Sequence, residues 1–188
     1  MASNTRNKLI HSALDLFRSQ GYHQTGLNQI LAQAGSPKGS LYHYFPGGKE
    51  QLACEAVQLA SDQILRVLHK LSGADDAAGA LDLLFDSFAQ GMKRSWYSKG
   101  CPIATIVLEE AAQNDAIRAA CDAAFTSWLL VLSETLAAFS VPDPDKAAAT
   151  LLCAIEGALL LCRTQRSTAP LRTVQSVVTA GVLPRLHG

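Results

Sequence analysis

The sequence predicts an all-α protein in which a small N-terminal helix-turn-helix unit precedes a larger helical bundle. Three observations carry this. Apolar residues recur at helical spacing along nearly the whole chain. No stretch keeps the strict alternation of a half-buried strand. Glycine, proline and aspartate punctuate the pattern at intervals of helix length. With 188 residues, 48% of them hydrophobic, the chain has material for a sizeable core.

The first helix is expected over about residues 5 to 20, with a stripe of Leu9, Ile10, Ala13, Leu16 and Phe17 ending at the capping glycine Gly21. A short second helix follows, with Thr25 as candidate N-cap and Leu27, Ile30, Leu31 and Ala34 on one side, before Gly35 breaks it. A third begins at once, capped by Ser36 with Pro37 in its first turn, and runs to Phe45 before Pro46-Gly47-Gly48 turns the chain. A longer helix from Lys49 to Leu71, ending in Ser72-Gly73, connects two domains.

Asp75-Asp76 then opens a helix carrying Leu81, Leu84, Phe85, Phe88 and Met92, which gives way at Ser98-Lys99-Gly100-Cys101-Pro102. Further helices are expected at about 103 to 113, 115 to 139 and 143 to 165, the last introduced by an Asp143 cap and Pro144. A final apolar helix runs from Pro170 to about Leu183. The domains expected are a helix-turn-helix domain over 1–48, a connecting helix over 49–72 and a helical bundle over 73–188.

Charge is uneven. Formal net charge is zero, and charged residues make up 17% of the chain. Residues 1–50 hold Arg6, Lys8, Arg18, Lys38 and Lys49 against Asp15 and Glu50, a surplus of three positive charges that the remainder balances. This is the pattern of a protein whose N-terminal end alone faces a polyanion. Five widely spaced cysteines form no CxxC pair and no grouping with histidine, so reduced, mostly buried thiols are expected, with no metal and no cofactor. No signal-peptide core is present, and no apolar run approaches the ~20 residues of a membrane span, so a cytoplasmic location without membrane partners is expected.

A recognition helix must have a leading end thin enough for the major groove, donors at that end, and basic or hydroxyl groups around it to hold phosphates. Residues 36–49 meet this specification. In Ser36-Pro37-Lys38-Gly39-Ser40-Leu41-Tyr42-His43-Tyr44-Phe45 the leading part is small and basic, while Leu41 and Phe45, four apart, can face inward. Lys38, Gly39, Ser40, Tyr42, His43 and Tyr44 are left outside. The competing readings are ordinary ones: Tyr42 and Tyr44 as packing of the small domain, His43, Lys38 and Lys49 as solvated surface, and the unit as a whole as a protein-binding module.

Residues 5–52 resemble the TetR family of transcriptional regulators. The pattern appears as Thr5-Arg6, Ala13, Leu16-Phe17, Gly21-Tyr22, Thr25, Ile30, Ala34-Gly35, Gly39-Ser40-Leu41-Tyr42, Phe45 and Lys49-Glu50-Gln51-Leu52. There are two departures: Gly26 stands where Ser or Thr is usual, removing one potential phosphate hydroxyl, and Ser36-Pro37 replaces the commoner Val-Ser. Ser36-Pro37-Lys38-Gly39-Ser40 with Pro46-Gly47-Gly48 looks like a branch of drug-efflux and antibiotic-resistance regulators. The resemblance implies a homodimer on a pseudo-palindromic double-stranded DNA operator, repressing until a small-molecule effector binds. By position it assigns Thr25, Tyr42 and Lys49 to phosphates, with the amide at the start of the fourth helix assisting. Lys38, Gly39, Ser40 and His43 are assigned to base edges, Tyr44 is ambiguous, and Arg6 is to reach a phosphate or the minor groove.

In the bundle, Phe85, Phe88, Trp96, Tyr97, Phe125 and Trp128 are candidate pocket residues, against the plain alternative that aromatics at helical spacing are core. Glu109-Glu110 and Glu156 could meet a cation, though a carboxylate in a helix usually faces solvent. For dimerisation, Ala154, Gly157 and Ala158 would let two backbones approach, with Val174, Val177, Val178, Gly181 and Val182 as a second apolar face. The alternative is that these faces close on their own bundle. An enzyme is not expected: Cys101, the one isolated nucleophile, has no histidine near it in sequence and no pattern for an oxyanion hole. A non-DNA helical adaptor is the remaining rival, separable by salt dependence.

Overall fold

The computed structural model describes residues 2–182, with side chains from 4 to 181. Among the described residues are nine α-helices, one 3-10 turn and no strand. The helices are α1 (Ala2–Gln20), α2 (Leu27–Ala34), α3 (Lys38–Tyr44), α4 (Gly48–Leu68), α5 (Ala77–Arg94), α6 (Ala104–Glu110), α7 (Asp115–Ala138), α8 (Pro144–Gln165) and α9 (Ala169–Val182). The chain packs as two compact units. One runs to Asp62 and takes in Cys101–Phe125, and the other holds Gln63–Gly100 and the chain from Thr126 onward. The divisions fall inside α4 and α7, so compact packing groups 101–125 with the N-terminal helices rather than with the rest of 73–188.

In the first unit, the α1 stripe of Leu9, Ala13 and Phe17 is fully buried together with Ile30 of α2, Leu41 of α3, the adjoining Phe45, and Leu52 and Ala56 of α4. Burying these side chains contributes about 1.5–3 kcal/mol for each large one, which short helices need because seven or eight residues are too few to be stable alone. Gly21 closes α1 at φ +94, a backbone angle that suits glycine. Gly35 closes α2 at φ 59, and the amide of Ser36 reaches the Leu31 carbonyl at 3.0 Å, as a glycine-capped helix end requires.

Several local expectations change. The N-cap of α2 is Gly26, whose amide donates to Gln29 Oε1 at 2.8 Å, whereas Thr25 turns inward. Ser36 does not cap α3: Pro37 occupies the boundary in extended conformation, and the Ser36 hydroxyl donates back to the Ala34 carbonyl at 3.3 Å. The fourth helix stops at Leu68, and a separate 3-10 turn covers Leu71–Gly73. Asp143 does precede Pro144, but at φ 48 it makes no side-chain cap, and its carboxylate pairs with Lys146 Nζ at 3.3 Å. An N-cap needs extended backbone to aim its side chain at the free amides. Val182's side chain and Leu183 lie outside the described residues.

The second unit has its core in Leu81, Leu84, Phe85 and Met92 of α5, Trp128, Leu132 and Leu136 of α7, Leu151, Ile155 and Leu159 of α8, and Leu171 of α9. Asp76 caps α5, accepting from the Gly79 amide at 2.8 Å, the bond that satisfies an otherwise orphaned first-turn donor. Asp86 meets Arg172 Nη2 at 2.6 Å and Asp82 accepts from Gln175 Nε2 at 2.6 Å, tying α5 to α9. The expectation about apolar runs is corrected by α7 and α8, which are long and apolar enough by length and composition to cross a bilayer. Each buries one side, Trp128, Leu132 and Leu136 in α7 and Leu151, Ile155 and Leu159 in α8, while Asp122, Glu134 and Asp145 are exposed.

Candidate nucleic-acid interface

Helix α3 is anchored from beneath. Leu41 and Phe45 are both fully buried, and the Phe45 amide closes the helix onto the Leu41 carbonyl at 2.7 Å. Anchoring at i and i+4 turns the opposite face outward, so Lys38, Gly39, Tyr42 and His43 are exposed, Tyr42 at 65%. Gly39 has open space around it: a β-carbon there would meet nothing within 4 Å, so the fold itself does not demand a glycine. Ser40 is half-buried and donates its hydroxyl proton to the Pro37 carbonyl at 2.6 Å, leaving it acceptor capacity only. Tyr44 is half-buried, edge-on to His43 with ring centroids 4.8 Å apart.

The three other candidate residues are engaged within the unit. Arg6 lies inside α1, ion-paired with Glu55 and with its guanidinium 5.4 Å over the Phe45 ring. Thr25 is fully buried, and its hydroxyl donates to the Gly21 carbonyl at 2.6 Å while accepting from Gln20 Nε2 at 3.2 Å. That proton is therefore not available to a phosphate in this arrangement. The Lys49 ammonium sits 4.1 Å over the ring of Tyr22, within range of the attraction between a cation and a ring face. Burial pulls the Lys49 pKa below its ordinary value, while the carboxylates of Glu110 and Glu109 act in the opposite direction. The Tyr22 phenol is pushed up to about 12, by burial first and then by Glu110 and Glu50.

The sequence left Glu109 and Glu110 between meeting a cation and facing solvent, and did not show what they hold. Glu109 and Glu110 end α6, yet neither is an ordinary solvated carboxylate. Glu109 Oε2 accepts the His23 main-chain amide at 2.7 Å, and Glu110 Oε1, on a side chain 11% exposed, lies 3.0 Å from His23 Nε2. Together they hold the Gly21–His23 turn between α1 and α2. Asn114 adds a further tie, donating to Glu50 Oε2 at 2.6 Å while its own oxygen caps the start of α7. No local pattern reveals this, because the partners are 86 residues apart.

The bundle candidates divide. Phe85 and Trp128 are core, and Phe88, Tyr97 and Phe125 are half-buried. Trp96 is 87% exposed on a left-handed turn shared with Tyr97, so as a pocket residue it is corrected: the turn after α5 carries its ring out to solvent. A cleft of about 460 Å³ lies between α8 and α9, with Ala154, Gly157, Leu161, Pro170 and Val174 among its lining. Gly157, Val177 and Gly181 are exposed and Ala154 and Val174 half-buried. Val178 is corrected as an interface residue, since it is buried in its own unit, while Ala158, though also buried, lines the cleft.

Fold and site together define the class: an all-helical protein that presents the third helix of a helix-turn-helix, with a helical companion unit. Comparison with known proteins narrows it. Residues 9–56 match the family described as bacterial regulatory proteins, tetR family. Residues 77–177 match the C-terminal domain of LmrA/YxaF-like transcriptional regulators. The chain is 34% identical to the HTH-type transcriptional regulator YxaF of Bacillus subtilis, over 98% of this chain and 97% of that one. It is likewise 34% identical to the HTH-type transcriptional regulator LmrA of the same organism, over 93% and 95%. Among solved structures, the regulatory protein TetR from Rhodobacter sphaeroides superposes with a TM-score of 0.86 at 25% identity, covering 94% of this chain and 98% of that one. Reduced NemR of E. coli shares the fold, with a TM-score of 0.83 at 23% identity over 97% and 99%.

The chain belongs to the TetR family of DNA-binding transcriptional regulators. Its relatives are regulators, not enzymes.

Proposed function

We propose that the protein is a cytoplasmic repressor that binds a pseudo-palindromic operator as a homodimer and leaves it when a small-molecule effector binds. The observation that carries this is the outward face of α3, where Lys38, Gly39, Tyr42 and His43 are exposed over a fully buried Leu41 and Phe45. An open glycine beside a lysine gives the slender, basic front that a major groove admits. In this reading Lys38, Gly39, Ser40 and His43 face base edges, Tyr42 and Lys49 hold phosphates, and Tyr44, Arg6 and Thr25 support them. Residues 1–48 read DNA, 49–72 connect, and 73–188 bind effector and dimerise.

Beside the α8–α9 cleft, the apolar side chains of Leu160, Leu161 and Val177 are exposed at 62%, 49% and 65%. Apolar surface of this kind supports a second copy packing there. A two-fold dimer places its recognition helices on half-sites about 34 to 36 Å, or a multiple of that, apart. Effector and DNA then favour different conformers, and the coupling is reciprocal.

The test is binding to a duplex from the region upstream of its own gene at several salt concentrations. Affinity should fall steeply with salt, and Lys38→Ala should flatten the log–log slope by about one unit. Salt-independent binding, or none, would sink the reading.

A further inference from the structure

We propose that Glu55 is a positioning residue for α3: its carboxylate steadies the turn after that helix through two arms, Arg6 and Gln51, and so sets how sharply the protein tells one DNA sequence from another. The proposal rests on the reading of α3 as the helix that meets base edges.

Glu55 stands on α4, one helical turn beyond Gln51, and its two oxygens are used separately. Oε2 pairs with Arg6 Nη2 of α1, and Oε1 accepts from Gln51 Nε2 at 3.1 Å. Each arm ends on the chain that leaves α3. The Arg6 guanidinium lies 5.4 Å over the ring of Phe45, the residue that closes α3, and Gln51 Oε1 accepts the Gly47 amide at 3.0 Å. Between these two points the Gly48 amide donates to the Phe45 carbonyl at 2.9 Å, completing the turn. Gln51 packs closely there, since a β-carbon on Gly47 would lie 3.1 Å from Gln51 Cβ.

This arrangement suits a carboxylate. Both arms present donors, and an ionised carboxylate accepts on both oxygens, whereas a glutamine at 55 has one acceptor oxygen and would turn its NH2 group toward one arm. The Arg6 and Glu55 side chains are 41% and 24% exposed, so the pair is modest in strength. Its leverage comes from its place. Helix α3 has only seven residues, and a shift of the turn at its end re-aims Lys38, Gly39 and His43. Contacts to base edges depend on close placement and carry the sequence preference, while phosphate contacts carry none.

The experiment compares affinities for a duplex from the region upstream of the protein's own gene and for a scrambled duplex of the same composition. It uses the full-length protein at several salt concentrations, with thermal melting to establish folding. Loss of folded protein lowers both affinities and cancels in their ratio. Removing an acidic group also acts through the field alone, tightening binding to both duplexes alike. Glu55→Ala should instead lower the ratio about fivefold, the upper end of what a part-exposed ion pair contributes, with the scrambled duplex bound no more weakly. Glu55→Gln and Gln51→Ala, each releasing one arm, should lower it by less. Arg6→Ala should lower it too, and combining it with Glu55→Ala should add little, because the two act as one unit. If Glu55→Ala fails to fold, Glu55→Gln and Gln51→Ala decide in the same way. An unchanged ratio, or factors from Arg6→Ala and Glu55→Ala that simply multiply in the double variant, overturns the proposal. Wild-type protein with no preference for the upstream duplex sinks the reading of α3 instead, and this inference with it.

Discussion

Glu109 and Gly21 are matched to one another: the carboxylate lies against the turn after α1 where Gly21 has no side chain, and a β-carbon there would lie 2.1 Å from Glu109 Oε1 as it stands. Gly21 also holds φ +94, so the position is constrained twice. Gly21→Ala should therefore cost about 1–3 kcal/mol from the backbone alone and displace Glu109 from the His23 amide as well. Urea unfolding checks this. The loss should be smaller in a Glu109→Ala background, because the collision is then absent, and strictly additive losses would refute the pairing.

Phe45 closes α3 with its ring fully buried beneath the Arg6 guanidinium. Phe45→Ala should destabilise the first unit by about 3–5 kcal/mol and Leu41→Ala by about 2–5 kcal/mol. DNA binding should fall with the folded fraction in both. A Phe45→Ala protein with an unchanged melting temperature would show that this ring does not anchor α3.

Gly157 gives a clean probe of self-association, because it is exposed and a β-carbon there would meet nothing within 4 Å in its own protomer. Gly157→Leu should leave the protomer folded, even slightly favoured by helix propensity, while obstructing a second copy at the α8–α9 face. Sedimentation should then report monomer where wild type gives dimer. Cys153 is exposed and lines the same cleft, so its alkylation should speed up in that variant. Cys121 should stay slow in both proteins, since burial lifts its thiol to about 11.

Alkaline pH should weaken the fold in a defined window. Tyr22 is raised from 10.0 to about 12, and Cys121 from 9.0 to about 11, so the folded state holds both protons more tightly than the unfolded chain. The stability from this difference is fully present below about pH 9 and is lost as pH climbs toward about 12. Urea midpoints at successive pH values should decline across that range. Tyr22→Phe should lessen the decline above about pH 10, and an identical decline would exclude Tyr22 as a contributor.

Local code made much of the reading head legible. Gly21 and Gly35 mark helix ends because a left-handed or otherwise positive φ suits glycine, and Leu41 with Phe45 declare an inward face because they stand one helical turn apart. Other features were not local. Thr25 resembles a cap in sequence, but its hydroxyl is taken by the Gly21 carbonyl once the turn closes. Val178 reads as an interface residue by composition, yet a helix with apolar residues on most sides must put some of them inward.

By itself the sequence determined the helical class, the order of the helices and the inward and outward faces of α3. These depend on periodicity and on residues within a turn or two of each other, which composition and spacing record directly. Only tertiary structure decided that Arg6 and Lys49 are engaged by Glu55, Phe45 and Tyr22, and that Glu109 and Glu110 grip the Gly21–His23 turn. An electrostatic contact depends on distance in space, and groups 86 residues apart acquire that distance only when the chain has folded.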